Sequence, residues 1–314
     1  MISRRTFLKL AGSALFSAIP MTAYAGLIET RYKLVTTRYE IGIPGWDDSH
    51  GRMRIAVVAD IHACEPWMPL SRVSEIVEAT NALKPDVTLL LGDYAAGMEH
   101  FKTADVAIAD WARALGRLRA PLGVHAVLGN HDWAVGGEFC RFFLDDYAGV
   151  PVMENKAVRL STPNGGHFWL AGLGDQIGIN DYGRPGRDNL PGTLAQVTTD
   201  DPVIMMAHEP DIFPFMPARV GLTISGHTHG GQVSLPGIGP LIVPSRFGTR
   251  YAYGHVVERG RQLLVSGGLG CSRLPIRFGR PPELVLLDIV PGKSIQGPVI
   301  GLSETAQVED HTLA

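Results

Sequence analysis

Met53-Arg54-Ile55-Ala56-Val57-Val58-Ala59-Asp60-Ile61-His62 opens as an almost unbroken apolar run and closes on two metal-ligand side chains. A short apolar run of this kind reads as a buried strand. Pro69 then opens a helix in which Leu70, Val73, Ile76, Val77, Thr80 and Leu83 recur at helical spacing. The pattern repeats. Asp86 to Leu91 reads as a second strand and ends at Gly92-Asp93-Tyr94; Thr103 is the expected N-cap of the next helix, with Ala107, Trp111, Ala114 and Leu118 on one face. Gly123 to Leu128 reads as a third strand and ends at Gly129-Asn130-His131-Asp132. Strand and helix alternate, so the fold class is α/β, built from parallel βαβ units.

In open α/β sheets the site lies outside the carboxyl ends of the strands. Asp60, His62, Asp93 and Asn130 are therefore expected to converge. The second half supplies further strands of the same kind: Phe168 to Gly172, Val203 to Ala207 ending at His208, and Gly221 to Ser225. The last leads into Gly226-His227-Thr228-His229-Gly230-Gly231. If that segment is extended, residues two apart point the same way, and both rings are expected to reach one point. A hairpin from Val256 to Gly268 and a final apolar strand from Glu283 to Val290 follow. A lone Asp at a strand end is commonly a cap, and a lone His commonly a hydrogen-bonder. Five separate segments ending on Asp-x-His, Gly-Asp, Gly-Asn-His-Asp, His and Gly-His-x-His are not explained that way.

The composition bounds the class. The chain has 314 residues, 45% hydrophobic and 19% charged, with a formal charge of -3, so no nucleic-acid footprint is evident. Its 37 glycines and 22 prolines fit many loops around buried sheet rather than a helical bundle. Cys64, Cys140 and Cys271 are too few and too scattered for a disulfide framework or a Cys-x-x-Cys site. At the N-terminus, Arg4-Arg5 is followed by Phe7-Leu8-Lys9, an apolar run from Leu10 to Ile19, and Ala23-Tyr24-Ala25. That order reads as a signal peptide over residues 1–25 and resembles the twin-arginine export signal. The expected organisation continues with a polar lead-in over 26–52, the main domain over 53–290 and a flexible polar tail over 291–314. The expected location is the periplasm or cell envelope.

The motifs from Asp60 to His229 resemble, in order, those of the calcineurin-like metallophosphoesterase family. The resemblance implies a four-layer α/β/β/α sandwich with two metals between the sheets. It implies that Asp60, His62 and His229 hold the first metal, that Asn130, His208 and His227 hold the second, and that Asp93 bridges them. It gives His131 the role of general acid. The chemistry asks for a similar set: carboxylate, amide and imidazole ligands without thiolate suit Mn, Fe or Zn rather than Ca or Mg. Two such ions activate water and hold a phosphoryl group.

Where the family's best-known phosphatases carry Asp and Arg after the bridging Asp, this chain has Ala96 and Gly97. Asp132 is left as a candidate to orient His131, and a phosphodiester or diphosphate becomes the expected substrate. Ala207-His208-Glu209-Pro210-Asp211, Gly226 to Gln232, Pro275 with Arg277, and Arg280 to Glu283 resemble the exported bacterial subgroup of the YaeI/YkuE type. That subgroup is related to hydrolases of UDP-2,3-diacylglucosamine. Its implied partners are an acylated substrate and the twin-arginine export machinery. Apolar loops follow the ligands: Trp67-Met68, Ile212 to Met216, and Leu274, Ile276 and Phe278 alternating with Arg273, Arg277 and Arg280. They are expected to form a rim for acyl chains, with arginines for anionic headgroups and membrane-surface association.

Overall fold

The computed structural model describes residues 22–177, 186–292 and 307–312, the last as backbone alone. The twin-arginine segment, within residues 1–21, lies outside the described residues, as do 293–306 and 313–314 of the tail. Among the described residues, twelve strands form two six-stranded sheets.

In chain order the strands are β1 (Lys33–Ile41), β2 (Met53–Val58), β3 (Val87–Leu90), β4 (Val124–Ala126), β5 (Lys156–Ser161), β6 (His167–Gly172), β7 (Val203–Met206), β8 (Leu222–Ser225), β9 (Gly254–Glu258), β10 (Arg261–Val265), β11 (Glu283–Ile289) and β12 (Gln307–Thr312). The first sheet runs β12-β1-β11-β2-β3-β4 and the second β9-β10-β8-β7-β6-β5. The runs β2-β3-β4 and β6-β7-β8-β10 are parallel, as the βαβ pattern requires. Helices α1 (Leu70–Ala82), α2 (Ile108–Leu115) and α3 (Asn130–Phe142) follow β2, β3 and β4.

The period of two along each strand explains the layering. From β2 and β3, Ile55, Val57 and Leu89 face between the sheets, where they meet Ile204, Met206, Leu222 and Ile224. Val58 and Leu90 face the other way, onto Val73, Ile76 and Trp111 of the helices. On the far side of the second sheet, Val203, Met205, Leu263 and Val265 pack beneath Ile212 and Phe213. The result is the expected α/β/β/α order, and the carboxyl ends of β2, β3, β4, β7 and β8 open at one end of the seam between the sheets.

Three expectations are corrected. The lead-in contains the helical stretch 24–32 and β1, which pairs in parallel with β11 over seven residues; the sheet therefore begins before residue 53. Part of the tail is a strand, since Gln307–Thr312 pairs with β1. Thr103 does not cap α2. Its N–H donates to the Glu65 carbonyl at 2.9 Å, and the helix starts at Ile108 after Ala107. Leu118 lies beyond the helix end but is buried.

Candidate metal centre

Two groups of buried side chains meet at the mouth of the seam: Asp60, His62 and His229, and Asp93, His208 and His227. In the first, His62 Nε2 lies 3.1 Å from His229 Nε2, and His229 Nε2 lies 3.9 Å from Asp60 Oδ1. In the second, His208 Nε2 lies 3.3 Å from His227 Nδ1 and 3.2 Å from Asp93 Oδ2. Asp93 Oδ2 is also 3.7 Å from His62 Nε2, so this one carboxylate stands between the groups. Asn130 begins α3 beside them, and its Oδ1 is buried with no hydrogen-bond partner among the described residues.

His227 and His229 do not reach a common point. Both have left-handed backbones, φ 67° and 54°, with Thr228 at -77° between them. The segment is therefore not extended, and the two rings part to opposite groups. Asp60, His62 and Asp93 are left-handed too, at φ 55°, 50° and 55°. For non-glycine residues such conformations cost about 1–3 kcal/mol each, and they cluster where function requires them. Close glycines leave the ligands room. A Cβ on Gly129 would meet Asp93 Oδ1 at 2.3 Å and His208 Nε2 at 2.7 Å.

The donor set fits a pair of divalent ions. His62 Nδ1 donates to the Ala95 carbonyl at 2.9 Å, and His208 Nδ1 donates to the Leu91 carbonyl at 2.6 Å. A carbonyl only accepts, so each ring keeps its Nε2 lone pair for a metal. His227 turns Nδ1 inward, toward His208 Nε2. His229 differs, because its Nδ1 receives the guanidinium of Arg277 at 3.1 Å. Burial, above all, pushes His62 and His227 down to about 3, which keeps them neutral as ligands must be. Burial also pushes Asp60 up to about 7 against the charge of His208. Burial opposes ionisation of Asp93, yet His208 and His131 outweigh it and hold the carboxyl well below its usual range.

His131 donates its backbone N–H to Asp93 Oδ1 at 2.9 Å, and its ring stands edge-on to His62. Asp132 does not orient that ring. Its carboxylate accepts N–H bonds from Asp93, Gly129, Tyr94 and Ala95 at 2.8–3.0 Å, so it ties the β3 loop to the start of α3. Burial and the Asp93 charge push Asp132 up to about 7 against those donors. The group beside the ring is Ser272, whose Oγ lies 3.4 Å from His131 Nε2.

Ser272 was not legible in the sequence, nor was Gln232, whose amide accepts from Ser272 N–H and donates to the Leu274 and Ile276 carbonyls. Gly97 is required here: a Cβ would meet His62 Cε1 at 2.9 Å and Ser272 Oγ at 3.2 Å. The expected apolar rim is only partly present. Met68, Ile212, Phe213 and Met216 are buried in the core. Arg277 is fully buried, and its guanidinium donates to the carbonyls of Gly267, Gly270 and Arg280 as well as to His229. It does not face a headgroup.

The model of the calcineurin-like phosphoesterase family matches residues 53–231. The chain belongs to that family. This calcineurin-like phosphoesterase is 30% identical over 294 residues to the metallophosphoesterase YkuE of Bacillus subtilis, covering 92% of this chain and 98% of the relative. It is 31% identical to a metallophosphoesterase of Aquifex aeolicus, over 88% of this chain and 98% of that one. To the phosphodiesterase YaeI of Escherichia coli it is 29% identical, over 92% and 100%. Members of this family are hydrolases of phosphoric esters, and the two buried ligand groups of this chain lie within or at the edge of the matched span.

Proposed function

We propose that the protein is a dinuclear phosphodiesterase or pyrophosphatase of the cell envelope, with an acylated phosphodiester or a nucleotide-diphosphate lipid of the UDP-2,3-diacylglucosamine kind as its substrate. The observation that carries the reading is the pair of buried ligand groups with Asp93 between them. Asp60, His62 and His229 would hold one ion, Asn130, His208 and His227 would hold the other, and Asp93 would serve both. Bound Mn, Zn or Fe ions supply Lewis acidity to the phosphoryl oxygens and lower the pKa of the attacking water.

The chain's own residues do the rest. Left-handed backbones and carbonyl-held rings fix the ligands before any ion arrives, which limits reorganisation on loading. His131 delivers a proton to the leaving oxygen, with the Ser272 hydroxyl limiting where its ring turns. Gly97 leaves no space for a phosphate-gripping arginine, which favours a diester or diphosphate held through the ions over a phosphoprotein. The acylated class and export by the twin-arginine machinery rest on Arg4-Arg5, on the subgroup resemblance, and on the exposed Leu274 beside Arg273.

The test is turnover of bis(p-nitrophenyl) phosphate and p-nitrophenyl phosphate by protein loaded with Mn or Zn. Metal-dependent hydrolysis that favours the diester is expected. Preference for the monoester would replace the diesterase reading with a phosphomonoesterase. Two bound metals without turnover of either substrate would leave a metal-binding protein.

A further inference from the structure

Among the described residues, the helical stretch 24–32 is fastened to the body on one face only. Arg277 N–H donates to Thr30 Oγ1 at 3.0 Å and to the Ala25 carbonyl at 3.2 Å. Arg280 N–H donates to the buried Glu29 carboxylate at 3.0 Å, and Arg72 donates to the carbonyls of Arg31 and Lys33. The other face is half-exposed: Leu27 is 51% exposed, Ile28 47% and Tyr32 44%. Across from it stand Phe101 and Leu274, 46% and 47% exposed. Between them runs a groove of about 570 Å³, walled by Ala23 and Leu27 on one side and by Trp67, Phe101, Leu274 and Ile276 on the other.

This groove adjoins the metal centre through the chain itself. Trp67 lies on the loop that follows His62, Phe101 on the loop that follows Asp93, and Leu274 two residues after Ser272. Trp67 Nε1 donates to the Phe101 carbonyl at 2.8 Å, which joins the first two loops. Cations border it. The Arg31 guanidinium lies 5.9 Å from the Trp67 ring and 5.8 Å from the Tyr32 ring, and Arg273 is exposed beside Leu274. Thr22, the first described residue, is on the groove wall, and the 21 residues before it carry Arg4, Arg5, Lys9 and the apolar run from Leu10 to Ile19.

We propose that this face lies on an anionic lipid bilayer. Leu27, Ile28, Phe101 and Leu274 enter the interface, Arg31 and Arg273 meet lipid phosphates, and the groove takes one acyl chain beside the metal centre. The charge of the rim, with the basic and apolar residues that precede Thr22 in the sequence, selects a bilayer over a second copy of the chain. An apolar face bordered by cations is the arrangement that seats on anionic membranes. The acyl-chain part rests on the phosphodiesterase reading; the bilayer contact does not.

Cosedimentation of the full chain with vesicles tests the contact without reference to turnover. Vesicles of phosphatidylglycerol with phosphatidylcholine should bind the wild type, and phosphatidylcholine alone should bind it more weakly. The variant Leu27→Glu/Leu274→Glu changes two half-exposed side chains, and its unfolding midpoint serves as the fold check. Its partition onto the mixed vesicles should fall at least about ten-fold, given the apolar area withdrawn from lipid. Phe215→Glu alters an apolar residue that is 69% exposed elsewhere and should bind as the wild type does. Equal binding by the double variant and the wild type would assign any attachment to residues 1–21 and overturn the proposal. Failure of the wild type to bind would overturn it too. In either case bis(p-nitrophenyl) phosphate turnover by the wild type still decides the phosphodiesterase reading on its own.

Discussion

Asp132→Asn tests whether the strut between the β3 loop and α3 is the carboxylate. In the wild type Oδ2 accepts from Asp93 N–H at 2.8 Å and Gly129 N–H at 2.9 Å, while Oδ1 accepts from Tyr94 at 2.9 Å and Ala95 at 3.0 Å. An asparagine amide has one accepting oxygen, so it retains two of the four bonds and turns an NH₂ donor toward the other pair. Each buried N–H left without an acceptor costs about 1–3 kcal/mol, so the two together cost about 2–6 kcal/mol. That is a large share of the stability of an ordinary domain. Either pair includes N–H groups of the loop that carries Asp93, the proposed bridging carboxylate, so the displacement falls on that loop. Urea unfolding of metal-free protein at pH 8, above the value to which burial pushes this carboxyl, should show the lower midpoint. Metal content after dialysis should fall with it. If Asp132 instead oriented His131, stability and metal content would be unchanged while poor leaving groups slowed; that outcome would refute the strut.

Asp93→Asn should retain less than the wild-type two metals per chain, by elemental analysis, and lose nearly all turnover; full loading with full activity would remove it as the bridge. His131→Ala should keep both metals and slow substrates with poor leaving groups most, by about 10²–10⁴-fold, whereas metal loss or equal slowing of all substrates would count against a general acid. Ser272→Ala should show the same leaving-group bias at about 2–10-fold, the worth of one neutral hydrogen bond, with Ser272→Thr close to wild type; an equal fall for every leaving group would make Ser272 merely structural. Burial pushes the Cys64 thiol up to about 11 and raises Cys140 and Cys271 as well. At pH 8 the reactive thiolates are therefore scarce. A colorimetric disulfide reagent should find none of the three in native protein and all three after denaturation, and rapid native reaction would contradict the packing.

What the sequence made legible is local. β2, β3 and β4 are apolar runs that stop at a polar residue, so both the strand and the place of its ligand could be read from a few residues. β1 was missed because it reads as polar: Thr36 and Thr37 are buried, and Arg38 and Glu40 follow on the same strand. Its position comes from pairing with β11, some 250 residues further along the chain. The tail strand was missed for the same reason, since an edge strand needs only a backbone partner. The divergence of His227 and His229 was hidden in their φ angles. A two-residue spacing predicts a common direction only if the chain is extended, and glycine on both sides does not say that it is.

The surroundings of the site are non-local, and that explains both what was missed and how the centre stays fixed. Ser272 meets His131 across 141 residues, Arg277 meets His229 across 48, and Asp132 gathers donors from 37 to 39 residues away. Most of these contacts end on backbone groups, which carry no residue code for a sequence reader to find. The same fact makes the centre stiff. A ligand ring held by a carbonyl of a sheet strand or its adjoining loop, as His208 is by Leu91, can turn only if that backbone moves, and the backbone is locked by its neighbours between two packed layers. Rotamer freedom that a flexible side-chain partner would leave is therefore absent before any ion arrives. His229 is held differently, because its partner is the side chain of Arg277, and that arginine is in turn fastened to the helical stretch 24–32. A displacement of the helical stretch 24–32 thus has a route to the metal centre through the backbone of residue 277 and its guanidinium to the ring of His229.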